Sequence, residues 1–293
     1  MNNLDVLSSI SVFLTGIFEK YGPDPDEYAG ILEFIDQIEA DEIEEFRQTM
    51  LPILNPGTII GFSFTKPFGY NGDFFIIEKI YQHYVSPDPK YKKWDEFFHT
   101  FPAAIAVVNR KKLAIEILKN LNNKISENNS QVLILGSGPV SEVFEFSTKY
   151  PDSQMFFDLI DLDKRAIAYA KAKNKNFLAR MSFHNVNVIR HNPGKTYDLI
   201  WSAGLFDYFK DKHFVYLLKK YYEFVKPGGE MIIGNFNVEN PSRRIMEILG
   251  DWFLNHRSEE ELMRFALQAG IPKSKIEIIR EPLGINLFLK VSK

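Results

Sequence analysis

Residues 131–145 read QVLILGSGPVSEVFE, and this stretch decides the fold. Val132 to Leu135 form an unbroken apolar run of strand length, the signature of a buried strand. The run ends in Gly136, Ser137, Gly138 and Pro139, after which the pattern turns helical. Two glycines permit a tight turn and a close backbone approach to a ligand. Downstream, the same alternation repeats. MFFDLID (155–161) reads as a second strand, followed by a helix over 164–172. A third strand is expected in the first half of ARMSFHNVNVI (179–189), ending near His184. YDLIWSA (197–203) is the fourth. A helix over 213–225 is expected to stop at KPGG (226–229), and EMIIGNF (230–236) is the fifth strand. Helices follow over 242–255 and from Ser258, where Glu261 completes a capping-box pattern. KIEIIRE (275–281) and INLFLKV (285–291) close the chain, joined by PLG. So short a turn makes the last pair antiparallel, while the alternation implies a largely parallel sheet covered on both faces.

Upstream of residue 128 the reading is helical. Helices are expected over 8–19, 26–50, 74–84 and 102–122, with SPDPKYKK (86–93) as a linker. The second of these carries an acidic face of Asp36, Glu39, Asp41, Glu42, Glu44 and Glu45. Polar NNKISENNS (122–130) closes this part, giving a helical region over 1–127 and an α/β domain over 128–293.

Composition narrows the function. A chain of 293 residues with 45% hydrophobic and 25% charged residues is ordinary globular material. The formal net charge of −3 argues against a general nucleic-acid binder. With no cysteine, disulfides, thiolate catalysis and Cys-ligated zinc are excluded, and the six histidines show no metal-binding spacing. No metal is therefore expected. Residues 1–20 lack the basic head of a targeting segment, and no run reaches the length of a membrane span. The expected location is the cytoplasm.

Asp161 ends the second strand, where a carboxylate can accept both hydroxyls of a ribose. Asp163 competes for that role but is better placed to cap the helix from Lys164. Two nucleoside cofactors fit a glycine loop followed by such an acid. A nicotinamide fingerprint wants a third glycine where Ser141 stands, and the closing hairpin speaks against a dinucleotide fold.

LILGSGP, LIDLD, YDLI and VKPGGEMIIGNF, in that order, resemble the class I S-adenosylmethionine-dependent methyltransferases over residues 128–293. Val140 replaces the third glycine of the usual G-x-G-x-G. The resemblance implies a Rossmann-like sheet with an antiparallel last strand, plus a helical N-terminal extension. It implies that Gly136, Ser137 and Gly138 wrap the methionyl part of S-adenosyl-L-methionine and that Asp161 holds the ribose. Leu162 would pack on the adenine, Asn185 would stand at its edge, and Ser202 and Ala203 would line the sulfonium side.

TKPFGYNGDF (65–74), FPAAIAVVNR (101–110), YDLIWSAGLFDYF (197–209) and DWFLNHRSEEEL (251–262) extend the likeness. They resemble a subfamily that includes 3-hydroxypalmitic acid methyl ester synthases. By that resemblance Tyr70 and Asp73 close over cofactor and substrate, with Asp73 engaging the methionyl ammonium. Tyr70, Tyr81, Arg110, Phe206 and Tyr208 are the expected acceptor contacts. Tyr70, Asp207 and Tyr208 are the candidates for positioning or proton removal, with a cap on the next helix as the alternative role of Asp207. The expected activity is methyl transfer to a small-molecule acceptor. A fatty-acid-like carboxylate is favoured over a base-assisted oxygen or nitrogen acceptor.

Overall fold

The computed structural model describes residues 3–124 and 129–293, so the boundary expected near residue 128 lies outside the described residues. Seven helices come first: α1 (Asn3–Glu19), α2 (Tyr28–Gln37), α3 (Ile43–Thr49), α4 (Ile59–Thr65), α5 (Phe74–Tyr81), α6 (Pro89–His99) and α7 (Pro102–Lys124). The alternating part follows as β1 (Gln131–Leu135), α8 (Ser141–Lys149), β2 (Phe156–Asp161), α9 (Lys164–Lys173), β3 (Met181–Asn185) and β4 (Tyr197–Ser202). It continues with α10 (Asp211–Tyr222), β5 (Val225–Phe236), α11 (Arg243–Ile248), α12 (Glu259–Gln268), β6 (Ile276–Arg280) and β7 (Asn286–Ser292). The residues form two compact units, Met1–Ile105 with Pro241–Phe253, and Ala106–Asn240 with Leu254–Lys293. Among the described residues no helix is long and apolar enough to cross a membrane.

In the first unit the helix expected over 26–50 is two helices. Ile38 is extended, and the Glu39 N–H donates to Glu42 Oε2 at 2.8 Å, closing a turn between α2 and α3. Six acids crowded on one face favour such a break. The expected linker over 86–93 instead starts α6. Asp88 caps it by accepting from Lys90 N at 3.0 Å, and Pro89 takes the first helical position, where a missing N–H is harmless. Pro241–Phe253 is bound into this unit. Ser63 Oγ donates to Gly250 O at 2.9 Å, and Arg47 Nε donates to Ile248 O at 2.8 Å. The arginine occupies the last carbonyls of α11, which ends well short of the expected residue 255.

The second unit holds a seven-stranded sheet in the order β3-β2-β1-β4-β5-β7-β6. Strands β1 to β5 pair in parallel, and β7 runs antiparallel to both β5 and β6, as the alternation and the short turn require. One face is covered by α7, α8 and α9, where Ala114, Leu118, Val143, Phe146 and Ala170 pack on Val132, Ile134, Leu159 and Trp201. On the other face α10 and α12 place Phe214, Leu217, Leu262 and Phe265 against Leu133, Ile200, Met231 and Leu289. KPGG, expected as a helix stop, lies inside β5. The pairing slips there from Tyr197–Val225 to Leu199–Glu230, and Gly228, at φ +78°, supplies the left-handed residue the irregularity needs. The capping box at Ser258 and Glu261 is present at the start of α12.

Candidate active site

The C-terminal ends of the parallel strands carry the loops that the sequence singles out. After β1, Gly136 and Gly138 take φ values of +64° and +53°. A Cβ on Gly136 would stand 2.9 Å from Leu205 Cβ, so only glycine lets this loop pass the one after β4. Val140, at the place of the family's third glycine, adopts the same left-handed conformation at φ 56°. For a β-branched residue this costs about 1–2 kcal/mol. Full burial of its side chain against the sheet offsets that strain. Ser137 N donates to Ile160 O at 2.9 Å and fastens the loop to β2.

Asp161 is central to this arrangement. Its Oδ2 accepts from Gly138 N and its Oδ1 from Asp163 N, both at 2.8 Å. Burial pushes its carboxyl above the usual range, and the bonds from Asp163 and Gly138 oppose the shift. Asp163 caps α9, accepting from Arg165 N at 2.8 Å, which leaves the strand-end position to Asp161. Leu162 is 67% exposed, a large apolar side chain facing outward beside that acid. Asn185 ends β3 in register with Asp161, and its Nδ2 donates to the carbonyls of Asp161 and Leu162 at 3.1 and 2.8 Å. Ser202 is buried and donates from Oγ to Leu135 O at 3.0 Å, tying β4 to β1. Ala203 packs half-buried at the margin of the α7-side core.

This edge fits S-adenosylmethionine. Ser137 Oγ is buried without a hydrogen-bond partner, and nothing lies within 4 Å of the space a Cβ on Gly138 would fill. The Asp161 oxygens keep lone pairs beyond the two amides they accept. Ser137, Gly138, Asp161 and Leu162 thus line one edge with a hydroxyl, an open backbone, an acid and an apolar surface.

The loop after β4 is held from several sides. Arg110 on α7 is buried, and its Nη1 would be 2.8 Å from a Cβ on Gly204. Asp207 is 1% exposed and accepts from Phe236 N at 2.7 Å, joining the loop to the end of β5. It does not cap α10, whose N-cap is Lys210. Burial raises its pKa to about 7, against the pull of the Phe236 bond, Arg110 and Arg257. Phe206 is fully buried, edge-on to Phe214 at 4.9 Å, whereas Tyr208 is 40% exposed.

Sequence reasoning missed Arg257. Only 2% exposed, it donates to Phe206 O at 3.2 Å, Phe209 O at 2.5 Å and Asn235 Oδ1 at 2.7 Å. Its guanidinium also lies 4.8 Å from the Phe214 ring centroid. The residue stands in the quoted segment 251–262, but an arginine just before a capping box has no local mark of burial. Glu142 was also missed. It is buried at the start of α8, its carboxyl pushed up by burial and drawn down by Arg110, Lys173 and Lys111.

In the first unit, Asp73 is the N-cap of α5, its Oδ1 accepting from Phe75 N and Ile76 N at 2.8 and 3.0 Å. Tyr70 is 37% exposed in the loop before it, and Tyr81 is the last residue of α5. Asn71 donates from Nδ2 to Asp251 O at 2.9 Å. Among the described residues no group of three or more His, Asp or Glu side chains is placed to hold a metal.

Comparison with known proteins agrees with this geometry. Residues 132–229 match the family described as "Methyltransferase domain". No curated protein matches the chain. Among solved structures, a Bordetella parapertussis protein described as a "possible exported protein" superposes with a TM-score of 0.63. It is 14% identical, over 75% of this chain and 79% of that one. The S-adenosylmethionine-dependent methyltransferase SibL is also 14% identical, over 75% of this chain and 61% of its own, with a TM-score of 0.52. The CurJ carbon methyltransferase is 13% identical over 66% and 56%, with a TM-score of 0.52. The chain spans less than two thirds of the last two proteins. At these identities the superpositions speak for the fold, and the family match speaks for the domain. Residues 132–229 of the second unit thus match a methyltransferase domain, and the glycine loop and Asp161 lie within that stretch.

Proposed function

We propose that the protein methylates the carboxylate of a small, largely apolar acid, such as a fatty acid, to give a methyl ester. S-adenosylmethionine, when bound, would supply the methyl group for one in-line displacement, the acceptor oxygen bonding the methyl carbon as its bond to sulfur breaks and S-adenosylhomocysteine leaves. The chain's own residues bind, orient and exclude water. Gly136, Ser137 and Gly138 embrace the methionyl part, with the unmatched Ser137 hydroxyl as its hydrogen-bond partner. Asp161 takes the ribose hydroxyls, Leu162 covers the adenine, and Asn185 keeps Oδ1 as an acceptor at the adenine edge. Ser202 ends β4 and Ala203 follows it, on the sulfonium side. For Tyr70, Asp73 and Tyr81 the support is the resemblance alone.

The observation that carries the ester reading is the state of Asp207. It is the one acid in the loop over 203–209, and its carboxylate is buried and bonded to Phe236 N. A phenol, alcohol or ammonium would need a base. An acid is already ionised near pH 7 and needs none. Arg110, against Gly204, sets a positive charge beside the same loop. A base-assisted transfer to oxygen or nitrogen has one observation in its favour, the Asp207 pKa of about 7. Incubation with S-adenosylmethionine and a parallel panel of fatty acids, phenols and amines, with products identified by mass, separates the two. Esters formed from acids alone support the proposal. Transfer to phenols or amines that collapses in D207N replaces it.

A further inference from the structure

Asn286 opens β7 and is fully buried, yet neither Nδ2 nor Oδ1 has a hydrogen-bond partner. Its backbone is well held, opposite Phe236 in β5, with its N–H 3.3 Å from Glu281 Oε1. The side-chain amide alone is unmatched. Burying both edges of an amide unpaired costs desolvation with nothing returned, and a leucine, branched in the same way at Cγ, would avoid it. A native fold that keeps such a group calls for a reason.

Its position supplies one. Side chains two apart on a strand share a face. Phe288 stacks on Trp201 with ring centroids 5.4 Å apart and joins the cluster that includes Ala114 and Leu118 of α7. Asn286 therefore faces the α7 side. Arg110 precedes Ala114 by four residues on the same stripe of that helix, and its guanidinium lies over Gly204. Gly234, opposite Phe288, abuts the carbonyl of Ala203, and Asn286 lies one strand repeat further toward the same edge. The unmatched amide and the buried guanidinium thus share the face and the edge from which the loop over 203–209 springs. Trp201 Nε1, also buried and unmatched, lies deeper on that face.

We propose that Asn286 is a specificity-determining residue of the acceptor site, its amide hydrogen-bonding the polar head of the acceptor on the Arg110 side of the sheet. The proposal rests on the reading of the acceptor as an organic acid. Nδ2 donates to a carboxylate oxygen of the acceptor, and Oδ1 takes an O–H where the acid also carries a hydroxyl near its head. The contact is made in the ground state as well as the transition state, so its loss appears in acceptor affinity and KM rather than in kcat.

The test uses the full chain, native and N286L, saturated with S-adenosylhomocysteine and titrated with hexadecanoate and with 1-hexadecanol. The native protein should bind the acid more tightly than the alcohol. N286L should bind S-adenosylhomocysteine as the native protein does, melt no lower, and lose roughly 10- to 100-fold in affinity for the acid. N286A, which folds without filling the site, should show the same loss. Acid affinity unchanged in both variants, with a higher melting temperature in N286L, overturns the proposal and makes the amide a plain cost to stability. A native protein that does not prefer the acid overturns the acceptor reading itself and the proposal with it. Failure to bind S-adenosylhomocysteine, read in the same titration, rejects the cofactor assignment instead.

Discussion

Asp161 and Asp207 show how differently two acids serve one edge of a sheet. The Asp161 carboxylate gathers two amides, from the glycine loop and from its own turn, before any ligand arrives. On the proposed reading D161A loses the charge-assisted bonds to the ribose, and it also frees the loop amide. Cofactor affinity should fall by about 1.5–3 kcal/mol, measured by calorimetric titration with S-adenosylhomocysteine. D161N should fall too, since both oxygens accept an N–H and an amide nitrogen in place of either would face a donor. Unchanged affinity in both variants would move the ribose contact elsewhere. At Asp207, burial has lifted the pKa from the unfolded value of ~4 to about 7. A raised acid binds its proton more tightly in the folded state, so it costs no stability below the unfolded pKa. The cost grows as pH rises from ~4 and is complete above about 7. D207N keeps an oxygen for Phe236 N and never ionises. Its melting temperature should therefore gain on the native protein's as pH rises from 4 to 7, then run parallel. A constant difference across that range would show that the native carboxyl titrates normally.

At the scale of elements, α7 matters most. Its residues Ala114 and Leu118 belong to the core on one face of the sheet, and Lys111 pairs with Glu145 of α8. The first residues of the same helix belong to the first unit, because the division falls between Ile105 and Ala106. A chain that starts at residue 128 would strip this helix from the sheet. Loss of a buried leucine alone removes about 2–5 kcal/mol. Such a chain should melt well below one that starts at residue 106 and should bind S-adenosylhomocysteine poorly, by thermal denaturation and titration of the two side by side. Equal melting would mean that α7 adds nothing to the sheet domain. The other informative element is the segment Pro241–Phe253. It leaves the second unit after β5 and joins the first through Arg47 and Ser63. Alternation of helix and strand carries no mark of such an excursion.

For the molecule as a whole, the local patterns decided a great deal. Apolar runs of strand length, the paired glycines, the acid at the end of the second strand and the short closing turn are properties of neighbouring residues. They were enough for the order of strands and helices, the antiparallel last strand, the tight turn at Gly136 and Gly138, and the Asp163 and Ser258 caps. Where short-range competition is close, the sequence misled. Six clustered acids split one expected helix, and a proline at a first helical position turned an expected linker into α6. Tertiary structure alone decided the partners. Asp207 meets Phe236, 29 positions away, Arg257 meets Phe206, 51 away, and Arg110 comes to rest on Gly204. Burial then raised the pKa of Asp207 and left Asn286 unmatched. Those outcomes depend on which surfaces meet after the chain has folded back on itself, and a residue's sequence neighbours hold no record of that.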